Sequence, residues 1–89
     1  MKTLNLPVEM ISVCSVDGQL RPLRFRFEDE SHRIFTIKIA EILVSRELNY
    51  AGCQNYQYTC RAELDDKARL FDLRYAVKAH KWTLFRTMD

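Results

Sequence analysis

Apolar and polar residues alternate with a period of two along much of the chain. The clearest run covers residues 56–64, where one face of an extended chain would carry Tyr56, Tyr58, Cys60, Ala62 and Leu64. The intervening residues are polar, which is typical of a β-strand with one face in the core and the other in water. The same alternation recurs at residues 23–27, 35–39 and 71–75. The pattern therefore predicts an all-β protein.

Short turn signals separate these runs. Asp17-Gly18 predicts a tight hairpin, because both residue types tolerate positive φ. It would join a first strand at about residues 8–16 to a second at about residues 19–27. The other predicted connections are residues 28–32, Asp65-Asp66 and residues 77–80, the last before a final strand at residues 81–87. Short links between six strands predict an antiparallel meander.

The stretch at residues 39–49 is ambiguous, because its Ala, Glu and Leu residues also suit a helix. We favour a long third strand with a bulge near Ala40-Glu41, which would change the face that the following side chains occupy. Residues 45–52 would then form a connecting loop. A partly helical segment is the alternative.

The length of 89 residues predicts one β-domain spanning residues 1–89, with residues 1–7 as a loose N-terminal arm. Each strand has one apolar face, and no amphipathic helix is available to cover a flat sheet. We therefore expect a strongly bent six-stranded sheet or a partly open small barrel. The aromatic residues expected to fill it are Phe25, Phe27, Phe35, Tyr58, Phe71, Tyr75 and Trp82.

The composition also bears on where in the cell the protein is expected. The chain is 47% hydrophobic, yet it contains no apolar run of the roughly 18 residues that a membrane-spanning helix needs. We expect no membrane association and, from the N-terminal residues, no signal peptide. The three cysteines lack the spacing of a metal or redox motif, which favours reduced thiols in a cytoplasmic protein.

Residues that could support catalysis or metal binding are few. His32 and His80 have no other potential ligands at the spacing of a metal site. The acidic run at residues 28–30 is typical of a solvated turn. Neither glycine belongs to a phosphate-binding loop. The sequence therefore predicts no enzyme activity, no metal and no cofactor.

Basic residues are concentrated in the two ends of the chain. Residues 1–27 carry a formal charge of +2 and residues 74–89 of +3, whereas the middle segment carries −3. Alternation directs Arg24 and Arg26 to one outward face, where Lys38 could extend them. The candidate face for an anionic partner consists of Arg21, Arg24, Arg26, Lys38, Lys78, Lys81 and Arg86. Weak nucleic-acid binding by an accessory protein is therefore one functional hypothesis.

The sequence resembles a family of small bacterial proteins known only as a domain of unknown function. The resemblance rests on short motifs between about residues 20 and 89: Pro22-Leu23-Arg24-Phe25, Tyr58-Thr59-Cys60-Arg61-Ala62, Asp72-Leu73-Arg74-Tyr75 and Lys81-Trp82-Thr83-Leu84. It implies a bacterial, cytoplasmic β-domain and carries over no catalytic residue.

The leading functional hypothesis is a non-enzymatic protein-interaction module. A small sheet whose edges lack dense Lys is open to pairing with a strand from another chain. The predicted partner is another protein or a second copy of this chain, bound through a sheet edge.

Overall fold

The structure, a computed structural model, describes residues 2–88 as a single sheet of antiparallel strands. The strands are β1 (Lys2–Cys14), β2 (Leu20–Glu28), β3 (Ile34–Lys38), β4 (Glu41–Tyr50), β5 (Cys53–Leu64), β6 (Lys67–Ala76) and β7 (Lys81–Thr87). Their order across the sheet is β3-β2-β1-β7-β6-β5-β4. Every neighbouring pair is antiparallel. The all-β prediction is confirmed.

The two end strands of the sheet, β3 and β4, follow one another in sequence. The chain bends at Ile39 and Ala40, so that β3 pairs with β2 and β4 pairs with β5. At this bend the Ile39 N–H donates to the Leu23 carbonyl (3.0 Å) and the Ala40 N–H donates to the Arg61 carbonyl (2.9 Å). The sheet therefore curls until its two ends meet at this corner, which confirms the predicted strong bend.

The structure has seven strands where the sequence predicted six. The predicted third strand is divided at residues 39–40, and the register against β5 shifts between Ile42 and Val44. The predicted loop at residues 45–52 is wrong, because β4 continues to Tyr50 and only Ala51 and Gly52 form the turn. Residue-by-residue pairing with β5 outweighs the local helix propensity of this segment.

The structure also corrects the predicted loose arm at residues 1–7. Residues 2–7 lie in β1, where Leu6 pairs with Leu84 and Pro7 pairs with Thr83. Leu4 and Leu6 pack against the core, so burial of their side chains holds this segment on the sheet. Met1 lies outside the described residues.

The core fills the concave side of the curled sheet. Its buried residues are Phe25, Ile37, Tyr58, Cys60, Ala62, Phe71, Leu73, Trp82 and Leu84. The Phe25 and Phe71 rings meet edge to face, 5.5 Å apart. Of the aromatic residues predicted to be inside, Phe27 and Tyr75 are partly buried and Phe35 is 40% exposed. Phe35 is more exposed because β3 is a short strand at the end of the sheet, where the ring stacks on Phe27 (5.4 Å).

Turn conformations explain several hairpins. Gly18 has a φ of +88°, and its N–H donates to the Ser15 carbonyl (2.9 Å), so the first hairpin turns over three residues rather than the predicted two. The Asp65-Asp66 turn is confirmed, with both residues at positive φ. The turn at Ala51 and Gly52 also has positive φ at both residues, +49° and +82°. Ala51 is the unfavourable residue there, because its Cβ is strained in the left-handed region.

We predict that Ala51→Asn increases the free energy of unfolding by about 1 kcal/mol, because Asn tolerates the left-handed region better than Ala. Urea denaturation monitored by Trp82 fluorescence measures the effect. Ala79→Asn is the matched control, since Ala79 lies in another turn without positive φ. An equal gain in both variants would contradict the explanation by backbone strain.

Candidate functional site

Pro22 marks the point where β2 loses its second neighbour. The Gln19 carbonyl accepts a hydrogen bond from the Ser15 N–H (2.9 Å), so the backbone of Gln19 faces β1. Alternation then turns the backbones of Leu20 and Pro22 away from β1. Proline has no N–H to offer a third strand there. The ladder with β3 accordingly covers only Arg24–Glu28, and the start of β2 is left with an open side.

The outer edge of β4 forms the opposite side of this opening. Tyr50 and Cys53 flank a two-residue turn, so their backbones hydrogen-bond to each other. Alternation then directs the backbone N–H and C=O groups of Ser45, Glu47 and Asn49 away from β5. Because β4 ends the sheet, no strand within residues 2–88 pairs with these groups.

A groove of about 450 Å³ lies between the two open sides. We call it the seam groove. Residues 18–21 line one wall, residues 45–47 line the other, and Ile42, Tyr56 and Tyr58 also line it. The Tyr58 hydroxyl donates to the Leu20 carbonyl (2.6 Å), which ties β5 to the start of β2 beneath the opening.

The tyrosines that line the seam groove are held by the core. Burial raises the pKa of Tyr58 to about 12, which extends to higher pH the range over which its hydroxyl can donate a hydrogen bond. The Tyr58 ring lies 5.6 Å from Trp82, and the Tyr56 ring stacks on Tyr75 at 6.3 Å. The floor of the groove is therefore supported by packed aromatic rings, whereas Gly18 and Gln19 of its wall belong to the β1–β2 turn.

The charges around the seam groove are incompletely balanced. Arg21 and Arg46 line its two walls, and neither has a hydrogen-bond, ion-pair or ring partner among the described residues. The Glu47 carboxylate accepts a hydrogen bond from Gln54 Nε2 (2.8 Å). The groove thus offers two guanidinium groups that are available to a ligand.

The predicted basic residues are distributed over several places. Arg24 lies opposite Lys38 in the register, and Arg26 lies beside them but contacts Glu9 (Nε to Oε1, 2.8 Å). Arg21 lies at the seam groove. Lys78 lies in the turn before β7 and Lys81 begins that strand, which β1 separates from β2. Arg86 is near the other end of β7. The structure therefore brings Arg24, Arg26 and Lys38 together and does not gather the whole predicted set.

Arg46 is not among the basic residues predicted from the sequence. It lies in β4, within the segment that was predicted to be a loop, and its outward position became visible only through pairing with Gln57. The sequence carries no clear signal for its outward position, because Val44 and Leu48, which share a strand face with Arg46, are apolar, whereas Ser45 and Glu47 on the other face are polar.

Arg86 belongs to a polar cluster on the convex face of the sheet. Its Nε–H donates to Asp72 Oδ2 (2.5 Å), and the Thr59 hydroxyl donates to Asp72 Oδ1 (2.6 Å). Asp72 is fully buried. Because both carboxylate oxygens accept hydrogen bonds from neighbouring strands, the cluster joins β5, β6 and β7.

Titratable residues elsewhere are dispersed. Within residues 2–88 no three His, Cys, Asp or Glu side chains are grouped so that they could hold a metal ion. Cys14 and Cys53 are exposed, whereas Cys60 is buried. Burial, together with the nearby Asp72 carboxylate, raises the pKa of the Cys60 thiol to about 12. The described part of the chain also contains no helix long and apolar enough to cross a membrane.

Comparison with known proteins adds no functional information. No family model, no curated protein and no solved structure matches the chain. The resemblance to small bacterial proteins of unknown function stays a prediction. The function must therefore be inferred from the seam groove and the surfaces around it.

We predict that two thiols react rapidly with a disulfide reagent in the native protein and that Cys60 reacts only after unfolding. A raised pKa leaves little thiolate at neutral pH, and burial limits access to the sulfur. Absorbance of the released thiolate measures both phases. Replacing Cys14 and Cys53 by Ser should remove the rapid phase, and three equally fast thiols would contradict the described burial.

We predict that Asp72→Asn lowers the free energy of unfolding by about 2–4 kcal/mol, because Arg86 loses the negative charge of a fully buried carboxylate. Chemical denaturation measures the loss. Asp66→Asn is the matched control: Asp66 is exposed in a turn whose positive φ Asn also tolerates, so a change below about 0.5 kcal/mol is expected. Similar losses in both variants would exclude a special role for the buried cluster.

Proposed function

We propose that this protein is a non-enzymatic interaction module that binds an extended segment of a protein partner along β4. The observation that carries the proposal is the open edge of β4 beside the seam groove. Strand addition at a sheet edge obtains its affinity from main-chain hydrogen bonds and its specificity from pockets for alternate side chains. The β4 edge offers the first, and the groove offers the second.

The backbone of β4 supplies donors and acceptors in the arrangement that strand addition needs. Ser45, Glu47 and Asn49 direct their N–H and C=O groups away from β5. An antiparallel or parallel guest strand would satisfy these groups, which otherwise depend on water. The opposing start of β2 is a poorer template, since Pro22 lacks an N–H and Tyr58 occupies the Leu20 carbonyl.

The β4 edge also lacks two of the usual protections against pairing, namely a short strand and Pro or Lys residues. Protected edges are short, or carry Pro and Lys residues. β4 is ten residues long and contains neither residue type. Leu43, Val44 and Tyr50 expose 44%, 49% and 55% of their surface, respectively. The length of β4 and its exposed apolar side chains favour pairing of this strand with another chain.

A nucleic-acid partner on the outer face of β2 and β3 is the weaker candidate. Arg26 is already paired with Glu9 there. The aromatic residues of β2, Phe25 and Phe27, point to the concave side and pack in or against the core. Single-stranded nucleic acids are usually bound by exposed aromatic rings together with cations. The basic surface thus has cations without a stacking platform.

Selection from a displayed library of random linear peptides tests the proposal. We predict that wild-type protein enriches peptides and that Ser45→Trp, which places an indole in the seam groove, weakens their binding at least tenfold. Ser31→Trp, at an exposed turn in the β2–β3 hairpin, is the matched control and should bind normally. Fluorescence anisotropy of a selected, labelled peptide measures the dissociation constants.

Backbone methylation of the selected peptide separates strand addition from other binding modes. In a paired strand only every second N–H faces the neighbour, so N-methyl groups at one set of alternate positions should abolish binding while the other set is tolerated. Equal sensitivity at all positions, or a library without enriched peptides, would overturn the proposal.

Size-exclusion chromatography at two protein concentrations tests for a second copy as the partner. A mass of twice 10.6 kDa that Ser45→Trp abolishes would identify a second copy as a partner at the same edge. A dimer that Ser45→Trp leaves intact, together with no peptide binding, would place the interaction elsewhere and overturn the proposal.

A further inference from the structure

We propose that the seam groove selects extended peptide segments with acidic side chains at alternate positions, recognised by Arg21 and Arg46. This inference rests on the proposed function and specifies the chemistry of the partner. Its basis is the position of two guanidinium groups on opposite walls of the opening, each without a partner in the described part of the protein.

Both arginines belong to the outward face of their strands. Pro22 is buried and Leu20 packs against the core, so alternation directs Arg21 outward. On the other wall, Arg46 lies opposite Gln57, and Gln57 binds the outward guanidinium of Arg74 (Nε to Oε1, 2.8 Å). A strand that enters between the two walls would therefore present every second side chain to the convex surface, between Arg21 and Arg46.

Several arginines outside the groove already have counter-charges. Arg61 lies near Glu41 (Nε to Oε1, 3.4 Å) and Glu63 (3.6 Å), and Arg33 contacts Asp29 (3.2 Å). Arg21 and Arg46 differ, because their walls provide no carboxylate on the outer face of the opening. A guest carboxylate would supply the charge-assisted hydrogen bonds that guanidinium groups form readily.

The inward positions of a guest strand meet a different environment. Ile42 and Tyr58 line the groove together with Leu20, which favours apolar side chains. The Glu47 carboxylate, held by Gln54, also lines the groove and repels acidic side chains that point inward. The groove therefore prefers acidic residues at outward positions and apolar residues at the intervening ones.

Peptides selected by wild-type protein should show Asp or Glu at alternate positions. For such a peptide, we expect Arg21→Glu and Arg46→Glu each to raise the dissociation constant about fivefold, since each reversal replaces an exposed cross-strand attraction by repulsion. Arg24→Glu is the matched control, because Arg24 is an exposed, partnerless arginine of β2 that lies outside the groove. It should change the constant less than twofold. Higher salt should weaken wild-type binding and have less effect on the Arg21→Glu/Arg46→Glu double variant.

A second selection with the double variant completes the test. We expect it to enrich Lys or Arg at the positions where wild-type protein enriches Asp or Glu. Peptides without acidic residues, bound equally by all variants, would overturn this inference and leave the proposed function intact. A library without enriched peptides would overturn the proposed function itself. Preferential binding of a single-stranded oligonucleotide, lost in Arg24→Glu, would overturn both.

Discussion

Pro22 imposes the constraint on which the shape of this protein depends. Pro22 has no N–H to offer a third strand; the β2–β3 ladder ends at Arg24 and Lys38, and the last contact of the following chain with β2 is the hydrogen bond from the Ile39 N–H to the Leu23 carbonyl. The chain continues as β4 along β5, on the other end of the sheet. The missing donor at Pro22 thus lies where the chain passes from one end of the sheet to the other and where the opening between β2 and β4 begins.

Away from the opening, the strands are held together by aromatic packing on the concave side of the sheet and by hydrogen bonds on the convex side. Phe25, Phe71 and Trp82 fill the concave side, and the strands are joined on the convex side by the buried Asp72 carboxylate. Tyr58 links these regions to the groove, because its ring packs near Trp82 and its hydroxyl binds the Leu20 carbonyl. Part of the groove lining is therefore held in place by core packing and by this hydrogen bond, and such preorganisation reduces the entropic cost of binding an extended ligand.

The proposed mode of binding uses features that a folded protein usually avoids. A long edge with exposed apolar residues promotes aggregation unless it is protected. Here the edge lies beside a groove whose walls carry two arginines, and Glu47 points into that groove. Charge at the outer rim and charge within the groove restrict which strands can pair. The same edge can therefore disfavour nonspecific strand pairing and still accept a guest of complementary pattern.

Alternation along the chain determined the all-β class, the inward positions of β5 and the hairpin at Asp65-Asp66, because side-chain period and turn conformation are local properties. It also indicated an irregularity near Ala40, but as a bulge within one long strand rather than as the break between β3 and β4. It did not determine that residues 45–50 form a strand, nor that Arg21 and Arg46 lie on two sides of one groove. Those features depend on which distant strand each segment pairs with. That choice is made by long-range hydrogen bonding and core packing, which only the tertiary structure specifies.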